Sequence, residues 1–221
     1  ETSDGSDFPN ISLLGGIGLS ASDATLDSTV TAEIGAANVS AGGTLLVKAS
    51  HNEGNSQRAK ATASASGGSL GVSVSGADSD AKSTADVYAR AGGNGAVLHG
   101  GTAVVIRTAN TNQAEAITDA LGIGLVAGIG ASSSTAITHG HSEATIVDGA
   151  GAALNQKTRV TGGALSVDAG AMDRGRAVAN GAGGGLFVGG TSNTSTVYVA
   201  PIVIAEVGQY ADVNVGGPVS I

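Results

Sequence analysis

Gly42-Gly43-Thr44-Leu45-Leu46-Val47 is a Gly-Gly pair followed by an apolar run, and this pattern occurs four times in the chain. The other copies are Gly100-Gly101-Thr102-Ala103-Val104-Val105-Ile106, Gly162-Gly163-Ala164-Leu165-Ser166-Val167 and Gly216-Gly217-Pro218-Val219-Ser220-Ile221. The first glycines lie 58, 62 and 54 residues apart. Repetition at a nearly fixed period is typical of stacked repeat architectures. Alternating or β-branched runs after glycine indicate strands.

Each unit also contains a second landmark, a glycine-rich apolar stretch. Its copies are Leu13-Leu14-Gly15-Gly16-Ile17-Gly18-Leu19, Gly67-Gly68-Ser69-Leu70-Gly71-Val72-Ser73-Val74, Leu121-Gly122-Ile123-Gly124-Leu125-Val126 and Gly183-Gly184-Gly185-Leu186-Phe187-Val188. A connector rich in Ser, Thr, Asp and Asn then leads into a further β-branched segment. The strict alternation of Ala59-Lys60-Ala61-Thr62-Ala63-Ser64-Ala65 indicates a strand with one small apolar face. We therefore expect about four short strands in each unit, joined by glycine turns.

These patterns predict an all-β protein, a β-solenoid in which short strands of successive repeats stack on one another. The alternative is an antiparallel β-sandwich or meander built from the same strands. Residues 1–221 form one elongated repeat region in this interpretation. It divides into a partial unit 1–41, the units 42–99, 100–161 and 162–215, and the start of another unit at 216–221.

Small side chains dominate the composition. The chain has 37 Gly and 38 Ala, but only three Tyr, two Phe and no Trp. Such side chains bury little area, and aromatic residues usually dominate core energetics. A thin core between closely packed backbones is therefore expected.

Charge and hydropathy exclude several classes of partner. Ten Lys and Arg against 18 Asp and Glu give a net charge of −8, and no two basic residues are adjacent. Nucleic acid and anionic membranes bind clustered cations, so neither is an expected partner. Residues 121–138 and 177–205 carry no charge, but Gly, Ser, Thr or Asn interrupts both, and we expect no membrane insertion. The absence of Cys excludes disulfides and thiolate chemistry.

The chain begins within a unit and stops just after an opening strand. An uncapped strand is a template for pairing with another chain. We therefore expect a homopolymer formed by end-to-end strand pairing. Its candidate residues are Gly216, Gly217, Val219 and Ile221 at one end and Ile11 and Leu13 at the other.

One pattern resembles the repeats of giant bacterial filamentous adhesins, the leukotoxin-like and haemagglutinin-like surface proteins. It is carried best by Ala32-Glu33-Ile34-Gly35 together with Val39-Ser40-Ala41-Gly42-Gly43-Thr44-Leu45-Leu46-Val47-Lys48-Ala49. The match continues in weaker form over most of the chain, with drift at 155–162 and 200–208. The resemblance implies a secreted, elongated, β-rich stalk at the cell surface.

Metal binding has weak candidates only. His139 and His141 share one face of a strand, which Glu143 extends, but a site needs further ligands. Asp78 and Asp80 are a short acidic pair that could hold structural calcium, yet no EF-hand loop follows them. The sequence therefore predicts no cofactor, and neither residue pair meets the requirements of a metal site.

Three functions remain, which we give in order of decreasing support from the sequence. The first is a structural extracellular stalk or self-assembling filament. The second is an adhesin module that binds a glycan or a cell-surface ligand, with the irregular segment containing Tyr198, Pro201, Glu206 and Tyr210 as the candidate surface. A β-helix carbohydrate-active enzyme is a distant third. It would need paired carboxylates and aromatic platforms, whereas the carboxylates here are scattered through connectors, so we expect no enzyme.

Overall fold

The computed structural model describes residues 2–5, 10–153 and 155–221, and strands make up most of them. The strands are β1 (Thr2–Gly5), β2 (Asn10–Ser12), β3 (Gly15–Ile34), β4 (Asn38–Ala41), β5 (Thr44–His51), β6 (Ala59–Ser69), β7 (Val72–Gly92), β8 (Val97–Gly100), β9 (Ala103–Gly124), β10 (Ala127–Val147), β11 (Thr158–Gly162), β12 (Leu165–Gly184), β13 (Val188–Val199), β14 (Ile202–Val207), β15 (Ala211–Val215) and β16 (Val219–Ser220). No helix long and apolar enough to cross a membrane occurs among these described residues.

The strands form three parallel sheets. Sheet A contains β1, β2, β5, β6, β9, β12 and β16; sheet B contains β3, β7, β10, β13 and β14; sheet C contains β4, β8, β11 and β15. All strand pairs in the described residues are parallel. This confirms the all-β solenoid and excludes the antiparallel sandwich or meander, whose neighbouring strands would run in opposite directions.

The chain passes from sheet A to sheet B to sheet C and then begins again. We call these passes coil 1 (β1–β4), coil 2 (β5–β8), coil 3 (β9–β11) and coil 4 (β12–β15), and β16 follows coil 4. The register aligns Leu45 with Val104, Val104 with Leu165, and Leu165 with Val219. The Gly-Gly strands therefore lie side by side in sheet A.

The strands are longer than the sequence suggested. Coil 3 has strands of 22, 21 and 5 residues instead of about four short ones. Segments that looked like connectors, such as Ser132-Ser133-Ser134, continue inside β10, where Ser132 and Ser134 face inward and form hydrogen bonds. Ser134 Oγ, for example, donates to the Val178 carbonyl at 2.6 Å.

Sheets A and B converge away from sheet C, so each coil has a wedge-shaped section. The inward residues become smaller toward the narrow edge, which we call the tip. In β9 they are Val104, Ile106, Thr108, Asn110, Asn112, Ala114, Ala116, Thr118, Ala120, Gly122 and Gly124. Near the tip the two backbones almost touch, because a Cβ on Gly122 would lie 2.2 Å from the Ile129 carbonyl oxygen. The decreasing size of the inward side chains along the strand thus produces the wedge shape of the coil.

The core has layers that follow the same gradient. Aliphatic residues, including Leu98, Ile106 and Ile146, fill the wide end beside sheet C. Next comes a polar layer, in which Asn110 Nδ2 donates to the Ala85 carbonyl at 2.7 Å. Alanine rows and paired hydroxyls, such as Ser79 and Thr118 at 2.8 Å, occupy the narrow part. The gap is too narrow here for large side chains, and the small buried polar groups satisfy one another by hydrogen bonds across it.

Candidate functional site

The outer edge of coil 4 exposes interior side chains. Val203 aligns with Ser142 of coil 3, which faces inward and is 0% exposed, whereas Val203 is 48% exposed. Val197 and Val199 align with Ala136 and Thr138 in the same way. We call this edge, formed by β12–β16, the C-terminal end face. It leaves apolar interior surface uncovered in the described structure.

In residues 2–5, 10–153 and 155–221, no strand pairs with β13 or β14 on the side away from β10. Ala200 donates its amide to the Thr138 carbonyl at 3.1 Å, and Gly208 donates to Ile146 at 2.8 Å. Groups of successive residues in a parallel strand point alternately to its two neighbours. Odd-numbered residues of β13 and β14 therefore direct their amides and carbonyls away from coil 3, toward the position of a further coil.

Pro201 interrupts that row of donors. By the register on either side it lies beside Gly140, and it falls at an odd position, where an amide would point away from coil 3. Its missing N–H therefore costs coil 4 nothing and removes one donor from the open edge. Proline on an edge strand is a common restraint on strand pairing.

The opposite edge is the N-terminal end face, formed by β1–β5. Its longest strand is β3, with 20 residues that pair with β7 on one side. Val30 and Ala32 of β3 face the core and are only partly buried. Both end faces thus present a long strand with half-covered interior residues.

The residues predicted to mediate self-assembly lie on these two faces. Val219 and Ile221 are exposed beside β12, and Gly216 donates its amide to the Gly162 carbonyl at 3.0 Å. Gly217 approaches Gly163, and a Cβ there would lie 2.6 Å from the Gly163 oxygen.

At the other end, Ile11 belongs to β2 beside Gly68, and its side chain is outside the described part of the structure. Leu13 is exposed in the turn that follows.

Sequence reasoning missed most of each end face. Val197, Val199 and Val203 also lie on the C-terminal end face, and the long strand β3 lies on the N-terminal one. The signal that identifies them is the 61-residue offset between β10 and β14, which aligns each exposed valine with a buried position in coil 3.

The predicted ligand-binding residues do not form one site. Tyr198 and Glu206 both face outward from sheet B, but eight residues of extended chain separate them by roughly 26 Å. Tyr210 lies in the turn before β15, where its carbonyl accepts the Thr158 amide at 3.1 Å. Pro201 lies between β13 and β14, at the open edge of sheet B.

His139, His141 and Glu143 share the outer face of β10, as the alternation predicted. His141 Nε2 lies 3.3 Å from Glu143 Oε2. Both Glu143 carboxylate oxygens also accept from Arg90, at 3.0 and 3.1 Å, and the Arg90 guanidinium lies 4.4 Å from the Tyr88 ring centre. Glu143 is therefore held in an ion pair.

Electrostatics fit that assignment. Partial burial of the Glu143 carboxyl opposes its ionisation, but hydrogen bonds and charge attraction from Arg90 outweigh it and lower the Glu143 pKa. The same contact raises the Arg90 pKa. The pair stays charged at neutral pH.

Asp78 and Asp80 lie on the outer face of β7, where Asp80 is beside Asp23 of β3 and Thr135 of β10. Within residues 2–5, 10–153 and 155–221, no three His, Asp or Glu side chains are grouped closely enough to hold a metal ion.

Comparison with known proteins adds no relative. No protein-family model matches the chain, and neither a curated protein nor a solved structure matches it significantly.

Proposed function

We propose that this chain is a structural segment of an extracellular stalk or filament, lengthened by stacking one coil on another at its end faces. The observation that carries the proposal is the exposure of Val203 and its neighbours at positions that are buried in coil 3. A further coil in the same register would bury these side chains and pair the outward backbone groups. Backbone pairing of this kind gives affinity without a specialised binding site.

Several features support a structural role. The interior is a continuous taper of aliphatic, polar, alanine and glycine layers, and the outer face of sheet B near the middle of the strands carries Ser, Thr and Asp side chains. An extracellular location rests on the resemblance of residues 32–49 to filamentous adhesin repeats. A structural role of this kind requires no ligand and no reaction.

A ligand-binding module is the second candidate. One observation favours it: a groove of about 390 Å³ lies beside Glu143, Thr145, Glu206 and Gln209 on the outer face of coils 3 and 4. Glycan or cell-surface binding there would depend on Glu206 and would be independent of coil stacking.

Two neighbouring substitutions separate these functions. Val203→Lys places a cation on the inward side of the C-terminal end face, whereas Ile202→Lys places it on the outer face of the same strand. The two residues have similar exposure, 48% and 43%, so Ile202→Lys is a matched control. Sedimentation velocity over a concentration series should show open-ended growth of oligomers in the wild type and Ile202→Lys, whereas Val203→Lys should form no such series.

Equal behaviour of all three proteins would contradict stacking at this face. Deletion of residues 216–221 is a weaker test, because β16 pairs with only the first two residues of β12. The valine substitution acts on β14, all six residues of which pair with β10.

A further inference from the structure

The turns at the tip stack a leucine from each coil. The register of β3, β7, β10 and β13 aligns Leu13, Leu70, Leu125 and Leu186 in one row. Backbone bonds join these turns: Leu186 donates to the Leu125 carbonyl at 3.0 Å, and Leu125 donates to Ser69 at 3.1 Å. Each leucine is 57–74% exposed. Four exposed leucines in line are not explained by the core or by coil stacking.

Further apolar residues widen this row into a ridge. They occupy the neighbouring turn position and the first outward positions of sheet B. We define the apolar ridge as the leucine row together with Leu14, Val126, Phe187, Ile17, Val72, Val74, Ile129 and Val188. No Asp, Glu, Lys, Arg or His belongs to it. The net charge of −8 is therefore carried elsewhere on the chain.

The ridge is large enough for a stable interface. Its twelve exposed side chains offer on the order of 1,000 Å², compared with about 800 Å² per partner in an ordinary protein–protein interface. The largest apolar patch on a typical monomer is roughly 300–600 Å². A surface of this size and composition is expected to be covered.

A groove lies next to the ridge on the outer face of sheet B. Its volume is about 470 Å³, and its lining includes the small residues Gly76, Ala131, Ser132 and Ser192 together with Leu19 and Asp78. Gly76, Ala131 and Ser192 are aligned across coils 2, 3 and 4, so the groove runs parallel to the ridge. Ridge and groove lie on the same outer face of sheet B, two residues apart along each strand.

We propose that two copies of this chain pair side by side, the apolar ridge of each filling the groove of the other. For each ridge to lie over the groove of the other copy, the outer faces of the two B sheets must meet. The two tips must then point in opposite directions. A twofold axis parallel to the coil stack satisfies both conditions, so the two solenoids run parallel and equal coils meet. A second copy fits better than an anionic membrane, because the acidic chain would be repelled there.

The oligomeric state tests the pairing when end stacking is blocked. In a Val203→Lys background, sedimentation equilibrium should show a dimer, because the ridge is remote from Val203. Adding Leu125→Glu places a charge within the interface and should weaken dimerisation by roughly 30-fold or more. Leu46→Glu changes an exposed leucine on the outer face of sheet A, outside the ridge, and should leave the dimer intact.

Folding is checked separately for each variant by circular dichroism and urea unfolding. Leu70→Glu supplies a second ridge variant and should reproduce the effect of Leu125→Glu. A monomeric Val203→Lys parent at every concentration, or a dimer insensitive to both ridge variants, would overturn the proposal. Loss of association only at the end faces would leave lateral pairing intact, so the two proposals fail independently.

Cross-linking tests the arrangement. Since the chain lacks Cys, Ile129→Cys and Ala131→Cys each carry a single thiol, one on the ridge and one in the groove of coil 3. A mixture of the two should form disulfide-linked heterodimers under oxidation, whereas Ile129→Cys mixed with Leu19→Cys of coil 1 should not. Faster linking of Ile129→Cys to itself would indicate ridge against ridge and overturn the arrangement.

A lipid surface is the competing occupant. A Val203→Lys parent that stays monomeric but binds neutral phosphatidylcholine vesicles through Leu125 would assign the ridge to lipid and overturn pairing between copies. Dimerisation without vesicle binding is the expected result.

Discussion

At the residue scale, side-chain size along each strand sets the shape of the coil. The inward positions of β9 begin with Val104 and Ile106 and end with Gly122 and Gly124. Glycine is required at the tip because sheet A and sheet B approach until only hydrogen fits between their backbones. Asn110 and Asn112 lie where the gap between the sheets has an intermediate width. Asn110 donates a hydrogen bond across the gap to the Ala85 carbonyl, and Asn112 donates one to Asp173 of the next coil.

Gly122→Ala should therefore be strongly destabilising. Its Cβ would lie 2.2 Å from the Ile129 carbonyl oxygen, and forcing two backbones apart typically costs about 1–3 kcal/mol or more of the free energy of unfolding. Gly184→Ala is the matched control, since nothing lies within 4 Å of a Cβ there, and its effect should be within about 0.5 kcal/mol. Urea unfolding measures both, and equal midpoints for the two variants would contradict the close approach.

The Arg90–Glu143 pair predicts a pH dependence. Arg90→Met should lower the free energy of unfolding at pH 7 by about 1–2 kcal/mol, discounted for the partial exposure of Arg90. Because the folded-state pKa of Glu143 is lowered, its stabilisation is complete above the unfolded pKa and is lost as pH falls through the folded value. The difference between the wild type and Arg90→Met should thus shrink below about pH 4.

Lys82→Met, a change of an exposed cation on the same face of β7, is the control for general charge effects. Thermal unfolding from pH 3 to 7 provides the measurement. A wild-type advantage over Arg90→Met that stays constant over this range would exclude Glu143 as the titrating group.

At the element scale, edge strands decide how coils meet. Sheet B ends in β3 on one side and in β13 and β14 on the other, and among the described residues neither side pairs with a further strand. Pro201 removes one of these donors without disturbing coil 4. Strand pairing with a further coil at the C-terminal end face is therefore weakened at one position, Pro201.

Pro201→Ala should strengthen end-to-end association. The substitution restores an amide that points toward a further coil, and a net hydrogen bond contributes about 0.5–1.5 kcal/mol. Light scattering should show assembly beginning at a lower concentration, by a few-fold. Unchanged or weaker assembly with unchanged stability would show that Pro201 does not lie in the stacking surface.

Particular elements show how far the sequence alone could lead. The Gly-Gly strands and the alternating alanines of β6 predicted a solenoid correctly, because repetition and two-residue periodicity survive in any parallel stack. Strand length was wrong, because Gly and Ser usually signal turns, whereas here Gly122 and Ser134 are inside strands that face a second sheet at close range. The leucine row was missed, because Leu13, Leu70, Leu125 and Leu186 become neighbours only once the register is known.

At the scale of the whole molecule, the solenoid is a modular stack in which each coil contacts its neighbours. In such architectures stability is roughly a sum of repeat and interface contributions. The stack can therefore be lengthened within one chain. A second copy of residues 104–164 inserted between Ala164 and Leu165 continues the 61-residue register of β9 and β12.

The duplicated chain should fold with proportionally more β signal in circular dichroism and a thermal midpoint no lower than that of the wild type. Inserting only residues 104–133 is the control, because half a coil breaks the register and should lower the midpoint. Equal effects of the two insertions would argue against a modular stack.

The central claim is that the end faces join coil to coil. The most direct measurement is negative-stain electron microscopy of the wild type, Ile202→Lys and Val203→Lys over a concentration series. The account predicts that rods of the wild type and of Ile202→Lys lengthen with concentration in steps of four coils, roughly 20 Å, while Val203→Lys remains short. Short single rods of the wild type at every concentration, or fibres of Val203→Lys as long as those of the wild type, would contradict it.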